Sequence, residues 1–439
     1  MDSNYNHIAF LCGYFKREKA IEVGTLKAAG WNRVDYTSEQ QNRGKRYYYP
    51  EFIDFCYAQS EDEGCKRYTR EVNTEVSMMI DVRGESKKYS FWVKDLTLYF
   101  MPHQMVLYSI KVEQGDASID DCSALIYKLR YIDGFKTDVY KDFCAVAVQP
   151  IIDVYNALKA NELRGVTVQD ATMLVEYGNK LRVFQVINAP AGAFNGLNDE
   201  EKRHLLYGAA TFSTVSIEGQ RAIDDTPEKW QRRNRMCRIA VFDSWSALAM
   251  QDSFNILASG CDNQMENWID KYFGCIYIQA LFQKVCLFDF NNRFKQALKL
   301  QKNRAASKQI NNLVREYEAF ERNCCFNWIS YNFLPQLVSD AVNSSLEIKD
   351  EMKQLYRIMA NERARSEEAS RKKMNALLVG ISFLTLFSAI WDACSLVNEM
   401  VSFPSHFSSS FQGFRIVGLV MAVFVLVVLV FLYGHKRDD

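Results

Sequence analysis

The chain has 439 residues, with 53 Lys and Arg balancing 53 Asp and Glu, and aromatic residues make up 13% of it. Balanced charge excludes the global electrostatic signature of a nucleic-acid or acidic-surface binder, so no direct nucleic-acid binding is expected. The 12 cysteines form neither a CxxC pair nor a cysteine–histidine set at zinc spacing, so no metal site is expected.

Residues Met1 to Asn6 show no basic segment followed by an apolar core, and with unpaired cysteines this fits a cytosolic soluble part. Up to about Gly260 the pattern is mixed. His7–Phe15, Tyr89–Met101, Gln104–Val112, Leu181–Ile187 and Cys237–Phe242 are rich in aromatic and β-branched residues and read as strands. Lys141–Glu162 reads as a helix, with Val146, Val148, Ile151, Val154, Tyr155 and Leu158 at helical intervals. Residues 1–260 are therefore taken as a soluble α/β domain, and a division into two lobes would fall near Gly165.

Two stretches in this domain have binding chemistry. The small-residue loop Asn188–Asn198 precedes Asp199-Glu200-Glu201, a capped helix start. It lacks the lysine of a phosphate loop, and an ordinary strand-to-helix connection is the preferred reading. The second stretch is Trp230, Arg232, Arg233 and Arg235, followed by Arg238 on a strand. Guanidinium groups beside an aromatic ring suit the phosphates and base of a nucleotide, while a solvated basic turn has the same composition. Arg43, Lys45 and Arg46 before Tyr47-Tyr48-Tyr49 repeat the pattern. The histidines His7, His103, His204, His406 and His435 form no nucleophile or metal motif, so no catalytic residues are assigned and no enzyme activity is expected.

Beyond residue 260 the chain turns helical. Met265–Leu300 is apolar nearly all round, yet Gln279, Gln283, Lys284 and Asp289 interrupt it, which marks a buried core helix rather than a membrane span. Lys302–Phe320 is amphipathic, and Asn332–Pro335 breaks the chain. Val338, Ala341, Ser345, Ile348, Met352, Leu355 and Met359 then recur at three–four spacing, a packed seam. No breaker follows, so one continuous helix from Leu337 to Val397 is expected, about 90 Å long.

Two uncharged runs, Met374–Trp391 and Ile416–Tyr433, each reach the roughly 18 apolar residues of a membrane span. The second is almost purely apolar. In the first, Asn375, Ser382, Thr385, Ser388, Asp392, Ser395 and Glu399 fall on one helical face. Ser and Thr occur freely in membrane helices because they bond back to the preceding turn. A carboxylate such as Asp392 is costly there unless it faces water or a partner. The stripe is accordingly read as lining something wet. One copy cannot bury both the seam and this stripe, so a homo-oligomer in a lipid bilayer is expected. Arg363, Arg365, Arg371, Lys372 and Lys373 precede the first span, and His435, Lys436 and Arg437 follow the second. This bias places both termini in the cytoplasm of the inner membrane. The domain layout is 1–260 sensor domain, 261–335 helical layer, 336–373 stalk and 374–439 membrane hairpin with a short tail.

This order of parts, from about Asn263 to Asp439, resembles the CorA type of membrane protein. Lys372-Lys373-Met374-Asn375-Ala376-Leu377-Leu378 is similar to that family's stalk-to-membrane junction. The resemblance implies an α/β cytosolic domain with a long-helix bundle and two transmembrane helices in a homopentameric CorA-like funnel. It also implies that Asn375, Leu378 and Ile381 sit at the cytoplasmic pore mouth, the two apolar residues forming a gate. The family's Gly-Met-Asn filter is missing, since the equivalent region reads Leu396-Val397-Asn398-Glu399-Met400-Val401. Rings of Asp392 and Glu399 would still favour cations.

CorA-like chains without that filter resemble the membrane effectors of type III CRISPR antiviral defence. For this chain the resemblance implies gating by a nucleotide second messenger, such as an S-adenosylmethionine–AMP conjugate, with no tightly bound cofactor. Two alternatives stand beside it. One is a magnesium transporter with a divergent filter, and the other is a non-conducting membrane-tethered binding protein.

Overall fold

A computed structural model describes residues 5–20, 23–58, 63–82, 85–159, 167–168, 170, 179–212, 237–299 and 304–400. The chain divides into two compact units, one of Met1–Asn292 with Tyr317–Met352 and the other of Arg293–Glu316 with the chain from Lys353 onward.

The first unit is built on a mixed sheet. Its strands are β1 Tyr5–Lys16, β2 Asn32–Arg33, β3 Lys66–Val82, β4 Glu85–Phe100, β5 Met105–Ala117, β6 Arg182–Ala189, β7 Arg238–Ile239, β8 Trp245–Ala249 and β9 Ser253–Ser259. Among the described residues they form one 9-stranded sheet in the order β2-β3-β4-β5-β1-β6-β9-β8-β7. Strand β1 pairs antiparallel with both β5 and β6, so strands from either side of Gly165 belong to the same sheet. Only β6 and β9 run parallel. The predicted strand Cys237–Phe242 shrinks to Arg238–Ile239, leaving Val241 and Phe242 about half exposed at the sheet edge.

Successive side chains of a strand point to opposite faces, and β1 shows what each face meets. Ala9 and Leu11 join the core cluster with Leu125 and Leu129 of α1 (Ile119–Leu129) and Ile151 and Val154 of α2 (Gln149–Leu158). The predicted helix over Lys141–Glu162 is present up to Leu158, with a π-helical segment at Cys144–Val148. Phe10 points the other way and stacks on Phe273 at 3.9 Å.

On the α1 and α2 face a polar chain crosses the sheet. His7 of β1 shares a 3.0 Å hydrogen bond with Gln185 of β6, and Gln185 donates to Asn255 of β9 at 2.7 Å. Asn255 in turn donates to Ser253 Oγ at 2.9 Å. Gln185 and Ser253 also donate to the Ala209 and Ala210 carbonyls near the end of α3, Asp199–Thr211, at 3.1 and 2.8 Å. Buried polar groups must be paired, so this set fixes α3 against particular strands rather than by apolar contact alone. Burial holds the His7 imidazole neutral, lowering its pKa to about 4.

The opposite face is covered by α4, Asp262–Lys299, the predicted apolar helix. It is long and apolar enough to cross a membrane, but 83% of its most apolar window is buried within the protein. Ile269–Tyr277 within it is π-helical. That widening leaves carbonyls for other donors, and they have them. Tyr48 Oη donates to the Lys271 carbonyl at 3.1 Å and Arg67 of β3 to the Gly274 carbonyl at 2.5 Å. A Cβ at Gly274 would lie 3.2 Å from Arg67 Nη1. The guanidinium is packed among the rings of Tyr36, Tyr57 and Tyr99 at 5.4, 5.9 and 5.4 Å. The Cys56 thiol, Arg67 and the Tyr57 hydroxyl together hold the Cys275 thiol below the usual thiol range.

The predicted amphipathic helix appears as α5, Arg304–Cys324, burying Ile310, Leu313, Tyr317 and Phe320. Pro335 starts a helix rather than breaking one. It lies in the first turn of α6, Phe333–Ser345, where no backbone N–H is required of it.

The expected uninterrupted helix from Leu337 to Val397 is corrected. Helix α6 ends at Ser345, and α7, Ile348–Met400, begins after Glu347 at φ 56°. Ser345 Oγ bonds back to the Val342 carbonyl at 2.8 Å, and Lys284 Nζ takes the Leu346 carbonyl at 2.8 Å. The Leu346 carbonyl that would continue the helix thus has another donor, and the Asp350 N–H bonds to the Glu347 carbonyl at 3.2 Å instead. The seam changes too. Val338, Ala341, Ile348, Leu355 and Met359 are buried within a single chain, so the seam does not itself demand an oligomer.

Two stability outcomes follow. Between pH 6.5 and about 4 the unfolded chain protonates His7 while the folded chain does not. Stability should therefore fall by about 3 kcal/mol across that window as pH drops, and the His7→Asn variant should lack this component. Chemical denaturation of the detergent-solubilised chain at several pH values reads both. Arg67→Met removes the donor to the π-helix and should cost about 1–3 kcal/mol in the same assay at neutral pH.

Candidate functional site

Helix α7 has 53 residues and the composition to leave water. Its Arg371–Asp392 segment is long and apolar enough to span a membrane, and none of its most apolar window is buried. Met374, Leu377, Leu378, Ile381, Leu384 and Leu386 are each more than half exposed. The apolar character goes all the way round, as a lipid-facing or bundle helix requires.

The predicted stripe lies on this helix. Asn375, Leu378, Ile381, Ser382, Thr385, Ser388 and Asp392 are all exposed, and Ser395 and Glu399 continue on the same helix, their side chains outside the described residues. Two of its hydroxyls are already satisfied. Ser382 Oγ donates to the Leu378 carbonyl at 2.8 Å, and Thr385 Oγ1 to the Ile381 and Ser382 carbonyls at 3.1 and 2.9 Å. They need no water. The demand for a wet environment thus shifts to Asp392, because an ionised carboxylate only accepts hydrogen bonds and a helix interior has no free N–H to offer. The run Ile416–Tyr433, the connecting loop from Val401 and the basic tail lie outside the described residues.

The predicted ligand contacts Trp230, Arg232, Arg233 and Arg235 also lie outside the described residues, and Arg238 is within them. Arg238 is half-buried on edge strand β7, next to Arg203 and Asp199 of α3. Desolvation and the Arg203 charge lower its pKa. The structure therefore brings Arg238 to the helix start that follows loop 188–198, two features that were separate in the sequence. That helix start is closed. Asn198 Oδ1 accepts from the Glu201 N–H at 2.9 Å, and the Glu201 carboxylate accepts from the Asn198 N–H at 2.8 Å. With Asp199, Glu200 and Glu201 in the first turn, it repels anions, as a plain strand-to-helix connection would.

The second basic–aromatic stretch, residues 43–49, contributes Tyr49 to a cavity. Tyr49, Trp328, Ser330, Tyr331, Asn332, Phe333, Gln336, Leu337 and Asp340 line an open surface cavity of about 430 Å³. The loop before α6 is laced to the 45–49 segment. The Tyr49 N–H donates to the Ile329 carbonyl at 2.9 Å, and Asn332 Nδ2 to the Tyr47 carbonyl at 3.2 Å. Ser330 Oγ and Tyr331 Oη donate to the Tyr47 and Lys45 carbonyls. Tyr49 and Tyr331 meet edge to face at 5.5 Å, and Lys271 Nζ lies 3.3 Å from the centre of the Tyr47 ring. Trp328, Tyr331 and Phe333 are 71%, 54% and 69% exposed. Sequence pattern did not mark these three, because aromatics in an aperiodic loop look the same whether buried or exposed.

Among the described residues no group of three or more His, Cys, Asp or Glu side chains could hold a metal ion. No family model, curated protein or solved structure matches the chain.

Proposed function

We propose that the chain is a homo-oligomeric, cation-permeable membrane protein of the CorA-like kind, gated from the cytoplasm by a nucleotide second messenger. The observation that carries this reading is α7. It starts with Ile348, Leu355 and Met359 buried, and over residues 371–392 it becomes apolar and uncovered on every side. A single helix thus joins a folded soluble part to a segment that needs lipid or other copies of itself around it. The charge pattern supports both termini facing the cytoplasm at the inner membrane.

In this proposal several copies of α7 turn Asn375, Ser382, Thr385, Ser388 and Asp392 toward a common axis, where a pore supplies the water that Asp392 needs. Leu378 and Ile381 form an apolar constriction that gates by excluding water. Nucleotide binding must favour the open state by about 5.5 kcal/mol to move the pore from almost closed to almost fully open. The type III CRISPR role rests on the missing Gly-Met-Asn at residues 396–401 together with the large N-terminal domain. An S-adenosylmethionine–AMP conjugate is the ligand that resemblance implies.

The return bonds of Ser382 and Thr385 favour a second reading, a membrane-tethered binding protein whose α7 is only an anchor. Ion flux in proteoliposomes separates the two. A channel should show flux that falls at least several-fold in Asp392→Asn and becomes ligand-independent in the Leu378→Ser, Ile381→Ser pair. Absence of flux under all nucleotides tried, with intact membrane insertion, would leave the tether. Restored growth of a magnesium-uptake-deficient strain would instead favour the transporter alternative.

A further inference from the structure

The cavity beneath Trp328 has a chemistry of its own, independent of whether α7 conducts. We infer that it binds a flat heteroaromatic ring bearing an amino donor, the class to which adenine, guanine and cytosine belong. The ring would lie against the exposed Trp328 or Phe333, and its amino N–H would be donated to the Asp340 carboxylate.

The argument begins with what holds the pocket open. Three large rings remain 54–71% exposed, yet they sit on a frame that cannot easily collapse over them. Gln336 Oε1 accepts from the Ile329 and Ser330 N–H groups at 3.0 and 3.4 Å, closing the loop onto the first turn of α6. Asn332 Nδ2 reaches both the Arg46 and Tyr47 carbonyls, at 3.3 and 3.2 Å. These polar groups are engaged with one another, so recognition falls to the ring surfaces and to the one charged lining residue, Asp340. Gln336 Nε2 donates to Asp340 Oδ1 at 3.2 Å and orients that carboxylate.

Ring faces carry negative quadrupoles and a carboxylate accepts hydrogen bonds, so together they favour an electron-poor, N–H-bearing ring and disfavour an anion. The cavity volume lies within the range of small-molecule sites. A base stacked on an exposed aromatic is a sequence-tolerant, well-precedented contact.

The test uses the full chain in nanodiscs and calorimetric titration with adenosine, which has the ring and the amino group but no phosphate. Saturable binding is expected, weakened about tenfold or more by Trp328→Ala. Asp340→Ala should weaken adenosine while leaving purine riboside, which lacks the amino group, at its already weaker wild-type affinity. Both residues are exposed, so an unchanged unfolding midpoint should confirm that the variants fold. The inference is overturned if adenosine, guanosine and cytidine all fail to bind saturably, or if the variants bind as wild type does. Capture of a protein partner through Trp328 in place of any nucleoside would overturn it too. Flux is no part of this readout, so the pocket and the channel can fail separately.

Discussion

A helix with Leu, Ile, Val and Phe on every side must have those side chains removed from water by something, and over residues 371–392 the described chain removes none of them. Each large apolar side chain left in water forgoes about 1.5–3 kcal/mol of burial, so the stretch as a whole forgoes on the order of 10 kcal/mol. That is comparable to the stability of an ordinary domain. The contrast with α4 sharpens the point. Both helices are long and apolar enough to cross a membrane, but α4 packs against a sheet through Phe273 and Tyr277, whereas residues 371–392 of α7 have no such cover. Composition makes the two look alike, and burial separates them.

The sheet-containing unit shows why α4 stays with the sheet. A π-helical turn costs regular hydrogen bonds, and here the lost bonds are replaced by side chains from the layer it packs on, Arg67 from β3 and Tyr48 from the 45–49 segment. The same Tyr48 neighbours the backbone that closes the aromatic cavity, and Lys271 of the π-helix lies on the Tyr47 ring. The segment that borders the cavity therefore also holds α4. Lys284, farther along α4, fixes the α6–α7 joint through the Leu346 carbonyl and a 2.5 Å ion pair with Glu351. Cavity, core helix and the start of α7 are linked within one compact unit by hydrogen bonds that can be named one by one.

Much of this was legible in the sequence where a period exists to read. The central strands, the amphipathic α5 and the buried character of α4 follow from alternation and helical spacing. What the sequence left hidden was non-periodic. The long strand β3, Lys66–Val82, carries many charged residues because its outer positions face water, and that masked it. Strands β8 and β9 are short and rich in Ala and Ser. The α6–α7 joint has no glycine or proline, since its left-handed residue is Glu347 and the donor that stabilises it, Lys284, comes from far along the chain. The residues of the aromatic cavity suffered the same way. The basic–aromatic pattern at 43–49 was visible, but its partner loop at 325–332 becomes recognisable only when folding sets Trp328 beside Tyr49.

The polar stripe of α7 is where sequence and structure together narrow the question most. Spacing alone gives seven polar positions equal weight, but hydrogen bonding does not. Ser382 and Thr385 are satisfied by the turn beneath them and are as compatible with lipid as with water. A carboxylate has no such option, because the helix offers it no donors. Whatever surrounds α7 must therefore be apolar around Leu377 and Leu384 and able to solvate or pair a charge at Asp392. A bilayer interface meets that requirement for one copy, and a shared aqueous axis meets it for several. The position of Asp392 relative to the membrane, more than the number of serines and threonines, decides whether this helix is an anchor or the wall of a pore.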